Sequence, residues 1–160
     1  MKMSGGVEWA LHCCVVLTGA TEPVPAARLA AFHDVSPTYL AKQLQALSRA
    51  GLVRSVQGQA GGYQLTRDPQ AITVLDVVEA VDGRQSAFVC TEIRQRGPFA
   101  ATPEQCGVPC GIASVMYDAD RAWRDSLRAT TIADLAGRVG RDVGPETLPR
   151  AREWMAGRSG

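Results

Sequence analysis

Three cysteines stand close together in the segment from Cys90 to Cys110, which reads CTEIRQRGPFAATPEQCGVPC. The chain has five cysteines in all, so most of its thiols lie in this short stretch. Prolines and glycines interrupt the segment, and their presence predicts a loop rather than a helix or strand. A loop that combines these residues with several thiols is typical of a metal site or of a disulfide framework.

Two further side chains that could bind a metal lie near the N-terminus. Residues 7–17 are apolar with helical character, and Glu8 and His12 stand four positions apart within them. That spacing places both side chains on one face of a helix, where they either form a surface hydrogen bond or bind a metal together. The other two cysteines, Cys13 and Cys14, belong to the same apolar run and are expected to be small core residues.

The composition narrows the class of protein. The chain has 160 residues, enough for one domain or for a small domain with an oligomerisation arm. Its hydrophobic share of 46% supports a real core, yet no run reaches the roughly 18 apolar residues of a membrane span. No signal peptide is recognised, so a cytoplasmic location with reduced thiols is expected. An odd number of cysteines cannot all pair in disulfides, which favours metal or redox chemistry.

Charge is distributed unevenly along the chain. The formal net charge is only +1, but residues 26–67 carry five basic residues against one acidic residue, a local charge of +4. The rest of the chain is correspondingly acidic. Such an asymmetry predicts an anionic partner for one half of the protein, the alternative being solvated charges scattered over a surface.

Two short helices joined by a tight turn are predicted within this basic segment. Pro25 suits the first turn of a helix over residues 26–32, and Ser36-Pro37 provides an N-cap and a first helical position for the next helix. Leu40, Leu44 and Leu47 of that second helix recur at core-facing spacing, which leaves a polar-to-basic outer face. This arrangement is a helix-turn-helix, with a generic helical hairpin as the alternative.

A β-hairpin is predicted directly after the second helix. Residues 52–56 and 63–66 have strand character and are joined by the glycine-rich sequence QGQAGG. A nucleotide-binding loop is disfavoured because no Lys-Ser/Thr pair and no helix follow it. A hairpin in this position is a wing, so the predicted fold is mainly α with a small β-wing: a winged helix-turn-helix domain plus a long dimerisation helix.

The C-terminal half contains two capping-box patterns and one long amphipathic helix. Thr73 to Asp76 has capping-box spacing and opens a helix that Gly83 ends, and Thr131 to Asp134 repeats the pattern. Between them runs an apolar stripe that so small a domain cannot cover, which predicts a homodimer. The members of this stripe are Ile112, Val115, Met116, Ala119, Trp123 and Leu127.

Four regions are therefore expected. They are a winged helix-turn-helix domain over residues 1–84, a cysteine-bearing loop over 85–110, the dimerisation helix with a short following helix over 111–139, and a loosely ordered tail over 140–160.

The chain resembles the Rrf2 family of bacterial winged-helix transcriptional regulators, of the IscR and NsrR type and especially its redox-sensing members. The segments that carry the resemblance are Val35–Leu44, Ala50–Val56, Gly61–Tyr63, Ile72–Asp82 and Thr130–Leu135. The resemblance implies a homodimer that binds a palindromic operator and holds an iron–sulfur cluster through three cysteines before the long helix. In some members it also implies an acidic ligand from helix 1 of the other subunit.

The chain departs from the family pattern at the cysteines. Fifteen residues separate Cys90 from Cys106 and three separate Cys106 from Cys110, whereas the family spaces its cysteines more evenly. Ala113 stands where some members place a histidine ligand. Carried over by position, Cys90 and Cys110 match family cysteines and Glu8 matches the acidic position, while Cys106 matches nothing cleanly.

The resemblance and these departures together suggest a mixed ligand set. His12, one helical turn from Glu8, is placed to replace the missing donor, so the predicted metal ligands are Cys90, Cys110, Glu8 and His12, with Cys106 as a further candidate. The expected cofactor is a 2Fe–2S cluster that bridges the dimer and senses redox state. Trp9, next to Glu8, is either a core residue or a switch between the cluster and the DNA-binding unit.

Three rival interpretations remain. One is a 4Fe–4S cluster on the three loop cysteines and Glu8, in a nitric-oxide or oxygen sensor of the same family. Another is a structural zinc ion on the three cysteines and His12. A thiol-redox enzyme belongs to a different class, and the lack of a Cys-x-x-Cys pair argues against it.

Operator DNA is the expected partner, and no enzymatic activity is predicted for this repressor-like regulator. Helix-turn-helix proteins place side chains of the second helix in the major groove, and wings reach the minor groove or the backbone. The residues predicted to contact DNA are Ser36, Thr38, Tyr39, Lys42, Gln43, Arg49, Gln57, Gln59 and Gly61.

Overall fold

The computed structural model describes residues 3–58 and 61–157, which divide into two compact units. The first unit combines the residues up to 84 with those from 127 onward, and the second comprises residues 85–126. The residues after the long helix therefore belong to the same unit as the predicted winged helix-turn-helix. No helix within the described residues is both long and apolar enough to cross a membrane.

Seven α-helices and one small antiparallel sheet make up the regular structure of the described residues. In chain order they are α1 (Gly5–Thr18), α2 (Ala26–Phe32), α3 (Pro37–Arg49), β1 (Val53–Val56), β2 (Gly62–Leu65), α4 (Val74–Asp82), α5 (Gly111–Arg128), α6 (Ile132–Val143) and α7 (Thr147–Met155). Three short 3₁₀ helices complete the list at Pro69–Ala71, Ile93–Gln95 and Glu104–Cys106. The mainly helical fold with a two-stranded wing is as predicted.

The helix-turn-helix forms as its local signals indicate. Ser36 occupies the N-cap of α3 and Pro37 its first position, although the Ser36 hydroxyl makes no capping hydrogen bond. Asp34 adopts a left-handed conformation with φ of 51°, which allows the chain to reverse tightly between α2 and α3. Leu40, Leu44 and Leu47 are fully buried, so the predicted inner face of α3 is confirmed.

The wing pairs with the loop between α1 and α2 as well as with itself. β1 and β2 run antiparallel from Val53 opposite Leu65 to Val56 opposite Gly62. Tyr63 and Val24 exchange backbone hydrogen bonds of 2.8 and 2.9 Å, which add a third partner to the hairpin. A Cβ on Gly62 would lie 2.3 Å from the Val24 carbonyl carbon, so only glycine allows this close approach.

Helix α1 lies at the centre of the first unit, in contact with α3, α4 and α6. Its inner face carries Cys13 and Cys14, both fully buried. Burial raises the pKa of Cys13 to about 12 and also raises that of Cys14, where the neighbouring Cys13 adds to the effect. These two thiols therefore stay protonated and act as small core side chains, as predicted.

Both predicted capping boxes are present, and they lie side by side. The Thr73 hydroxyl accepts a hydrogen bond from the Asp76 backbone amide, and the Asp76 carboxylate accepts one from the Thr73 backbone amide. Thr131 and Asp134 form the same pair of hydrogen bonds at the start of α6. The Val74 amide donates to the Thr130 carbonyl at 2.9 Å, and the Ile132 amide donates to the Ile72 carbonyl at 2.8 Å. The starts of α4 and α6 are thus fixed to one another.

The C-terminal residues are more ordered than expected. Instead of a loose tail from residue 140, α6 continues to Val143, Gly144 turns the chain with φ of 87°, and α7 follows. Met155 at the end of α7 is only 7% exposed and joins the main core. The Arg28 guanidinium donates to the carbonyls of Trp154 and Met155 at 2.9 and 3.2 Å, which satisfies the last turn of α7.

Candidate functional site

The segment that leads to Cys90 lies along α5 in the second unit. The Phe88 ring meets the Tyr117 ring edge-on with centroids 5.6 Å apart. The Ala87 amide donates to the Asp120 carboxylate at 3.4 Å, and Arg124 donates to the same carboxylate at 3.0 Å. These contacts hold the chain just before Cys90 against the helix that follows Cys110.

Between Cys90 and Cys106 the loop closes on the side chain of Arg94. Its Nε donates to the Glu92 carboxylate at 2.8 Å, and its Nη2 donates to the Val108 carbonyl at 2.6 Å and to the Cys106 carbonyl at 3.4 Å. The hydrogen bond from Arg94 lowers the pKa of Glu92, whose carboxylate also lies 3.9 Å from the Cys90 sulfur. Sequence reasoning missed Arg94 because no motif marks an arginine that binds backbone carbonyls.

Cys110 occupies the start of α5. Its sulfur accepts a hydrogen bond from the Ala113 amide at 3.4 Å, and its carbonyl accepts one from the Ser114 amide at 2.9 Å. The first turn of α5 therefore fixes the position of the Cys110 side chain. Ala113, at the position of the absent histidine ligand, is only 1% exposed. All three loop cysteines are free and partly exposed.

Glu8 and His12 lie on one face of α1, as their spacing predicted. Both side chains are exposed, and both line a groove of about 470 Å³ in the first unit. The groove runs between α1, α4 and α6. Its walls are otherwise largely apolar and include Leu11, Val15, Val74, Val78, Leu135 and Val139.

The predicted ligands are divided between the two units of the chain. Cys90 and Cys110 belong to the second unit, whereas Glu8 and His12 belong to the first. Among the residues that the structure describes, no three His, Cys, Asp or Glu side chains converge as a metal site. One chain therefore presents two incomplete donor sets, each accessible from outside.

A row of aromatic rings connects His12 with the recognition helix α3. The His12 and His33 ring centroids are 5.6 Å apart, His33 and Trp9 are 6.0 Å apart, and Trp9 and Tyr39 are 6.5 Å apart. His33 Nε2 is buried and has no hydrogen-bond partner among the described residues, and burial, with a smaller effect of His12, lowers the pKa of His33. The sequence marked His33 only as part of a turn, so its place in this row was not predicted.

Most of the predicted DNA-contacting side chains lie on the surface. Those exposed are Ser36, Thr38, Tyr39, Lys42 and Arg49 around α3, and Gln57 at the end of β1.

One of the DNA-binding predictions needs correction. Gln43 is only 5% exposed because its amide packs on Gly6 of α1, so it is a packing residue. The Gly61 amide donates to the Gly58 carbonyl, and a Cβ there would lie 2.5 Å from the Val56 carbonyl oxygen. Gly61 therefore shapes the base of the wing tip, and its contact with DNA stays a prediction. Gln59 lies outside the described residues.

Comparison with known families decides the class of the protein. Residues 3–138 match the sequence model of the Rrf2 family, which is described as an iron-dependent transcriptional regulator. The chain belongs to the Rrf2 family. Rrf2 proteins are DNA-binding regulators and are commonly dimeric, so this chain is a transcriptional regulator and not an enzyme.

Individual Rrf2 relatives resemble the chain over different lengths. The HTH-type regulator YwgB of Bacillus subtilis is 31% identical over 144 residues, which cover 88% of this chain and 87% of YwgB. IscR of Klebsiella pneumoniae is 40% identical over 76 residues, covering 48% and 47% of the two chains. The structure of CymR, the global cysteine regulator of B. subtilis, superposes with a TM-score of 0.66 at 25% identity, over 86% of this chain and 98% of CymR.

Proposed function

We propose that this Rrf2 protein is a dimeric repressor that senses redox state through a 2Fe–2S cluster and switches its binding to operator DNA accordingly. Cys90 and Cys110 of one subunit would hold the cluster together with Glu8 and His12 of the other. The observation that carries the proposal is the pair of incomplete donor sets, one of thiols and one of carboxylate and imidazole.

The surfaces around the two donor sets support their meeting across a dimer. Ile112, Val115 and Met116 follow Cys110 on α5 and are 75%, 66% and 41% exposed. Glu8 and His12 border an apolar groove of the first unit. Exposure of an apolar helix face and of an apolar groove to water is unfavourable. A second copy of the chain would cover both surfaces.

The donor set suits an iron–sulfur cluster chemically. A 2Fe–2S cluster supplies a one-electron carrier, and thiolates are its usual protein ligands. A carboxylate and a neutral imidazole in place of two thiolates make the site less negative than four cysteines would. Histidine ligation raises the potential in Rieske centres, and imidazole also titrates near neutral pH. This protein is therefore expected to accept an electron at a higher potential than a four-cysteine site.

The row of rings from His12 to Tyr39 supports a path from the cluster to DNA. A change in charge at His12 would act on His33, which lies at the turn of the helix-turn-helix, and on Trp9 beside it. Tyr39, at the other side of Trp9, stands on the exposed face of α3. Trp9 is thus assigned as the switch residue, and Lys42, Thr38 and Tyr39 as contacts to operator DNA.

The ligand assignment is tested by absorption spectra and by iron and sulfide counts on anaerobically purified variants. Cys90→Ala and Cys110→Ala should each abolish the cluster, because each removes a thiolate. Cys106→Ala is the matched control and should retain it. His12→Cys should keep a cluster of lower potential, since it adds negative charge at the iron.

Other outcomes would identify the rival sites. A colourless Cys106→Ala protein, combined with an unchanged His12→Ala spectrum, would replace the mixed set by a three-cysteine cluster of the 4Fe–4S type. Zinc in place of iron in the wild-type protein would indicate a structural zinc site and end the redox proposal.

A further inference from the structure

Arg94 contacts four separate points of the cysteine loop. Its side chain reaches Glu92, Cys106 and Val108, as described above, and its own carbonyl accepts a hydrogen bond from the Ala101 amide at 2.8 Å. The side chain is only 23% exposed. Arg94 therefore joins both ends of the long insertion between Cys90 and Cys106, where the backbone has little regular structure of its own.

Arg94 does more than form a surface ion pair, because it also donates hydrogen bonds to backbone carbonyls of the loop. An isolated exposed pair is worth little, but a guanidinium that also satisfies loop carbonyls fixes the backbone that carries them. The planar fork of arginine can donate in several directions at once, which a lysine ammonium cannot do with the same geometry. Arg94 thus fixes residues 92, 106 and 108 relative to one another through a single side chain.

Glu92 is held in an unusual conformation beside Arg94. It has φ of 49° and ψ of 49°, the left-handed region that a residue with a side chain seldom adopts. This turn brings its carboxylate between the Arg94 guanidinium and the Cys90 sulfur. Backbone strain of this kind persists where surrounding contacts enforce it, and it is concentrated at functional sites.

The charges of this pair lie close to the candidate ligands. The Glu92 carboxylate is 3.9 Å from the Cys90 sulfur, and the Arg94 guanidinium is 3.4 Å from the Cys106 carbonyl oxygen. A carboxylate next to a metal group disfavours the addition of an electron, and a guanidinium favours it. As an ion pair they carry no net charge, so the loss of either partner leaves one uncompensated charge at the site.

We propose that Arg94 is the positioning residue of the cysteine site: it holds the loop in the shape that lets Cys90 and Cys110 bind one metal group, and with Glu92 it sets the reduction potential of that group. The second part rests on the proposed cluster function. The first part concerns the loop itself and holds without a bound cluster.

The effect of the ion pair on the reduction potential is tested with two substitutions. Each removes one charge of the pair, and the two charges have opposite sign. Arg94→Gln leaves the Glu92 carboxylate unpaired and should lower the midpoint potential of the cluster. Glu92→Gln leaves the Arg94 charge unpaired and should raise it. Arg96→Gln, an exposed position two residues further on, is the matched control and should leave the potential unchanged. Shifts of the two variants in the same direction, or no shifts, would overturn the electrostatic role.

The positioning role is tested on the cluster-free protein by limited trypsin digestion. Cleavage after Arg96 should be at least several times faster in Arg94→Gln than in the wild type, because the loop loses its carbonyl contacts. Arg94→Lys should be cleaved rapidly as well, yet keep a potential near the wild-type value. Equal cleavage of all three proteins would overturn the positioning role. A wild-type protein without iron and sulfide would instead reject the proposed function, and the digestion would still decide the role of Arg94.

Discussion

Neighbouring residues on the recognition helix have opposite environments. Lys42 is exposed, whereas Gln43 is buried against Gly6 of α1. A helix turns by about 100° per residue, so one position separates the exposed side of α3 from the side that faces the core. Gln43 therefore helps to hold α3 on α1, and the exposed residues of α3 depend on that attachment for their orientation.

Lys42→Ala is predicted to weaken operator binding without loss of stability. The substitution removes one exposed positive charge, so the slope of the logarithm of affinity against the logarithm of salt concentration should fall by about one. Mobility-shift titrations at several salt concentrations measure this effect. Arg141→Ala, at an exposed position on α6, serves as the control and should bind as the wild type does. Unchanged binding by Lys42→Ala would mean that α3 is not the helix that enters the groove.

Helices whose ends are set by neighbouring residues could be predicted from the sequence. Structure that depends on residues far apart in the chain could not. The Ser36-Pro37 start of α3 and the two capping boxes use residues within one turn, so the sequence alone locates them. Helix α7 depends on Arg28, more than a hundred positions away, and no local pattern announces that contact. The same reason hides the loop geometry set by Arg94 and the ring row through His33.

The close packing of Gly62 of the wing on Val24 predicts how a substitution there changes stability. Gly62→Ala should lower the free energy of unfolding by ~1–3 kcal/mol, because the new methyl group meets backbone atoms that cannot move aside. Gly137→Ala is the matched control: it lies within α6 with only ordinary contacts, and it should raise stability by about 0.5–1 kcal/mol. Urea unfolding of both variants measures the difference. Equal stability of the two would show that β2 does not need its close approach to Val24.

On the scale of the whole molecule, the proposed dimer would bring together several features that one chain exposes. The loop thiols are partly exposed, Glu8 and His12 are exposed beside an apolar groove, and the apolar face of α5 is exposed as well. A dimer of the kind common in the Rrf2 family would use these features together. Dimerisation and cluster binding are therefore expected to be linked, each strengthening the other.

Met116→Asp tests that linkage. Met116 lies in the middle of the exposed apolar stripe of α5, and an aspartate there would carry an unpaired charge into the proposed interface. The variant should dissociate at least tenfold more readily in sedimentation, a change of about 1.4 kcal/mol, and should lose its iron and sulfide in parallel. Ser114→Asp adds the same charge on the opposite side of α5 and should remain dimeric. If Met116→Asp stays a dimer, α5 packs elsewhere, and if it becomes a monomer that keeps its cluster, the cluster does not bridge two subunits.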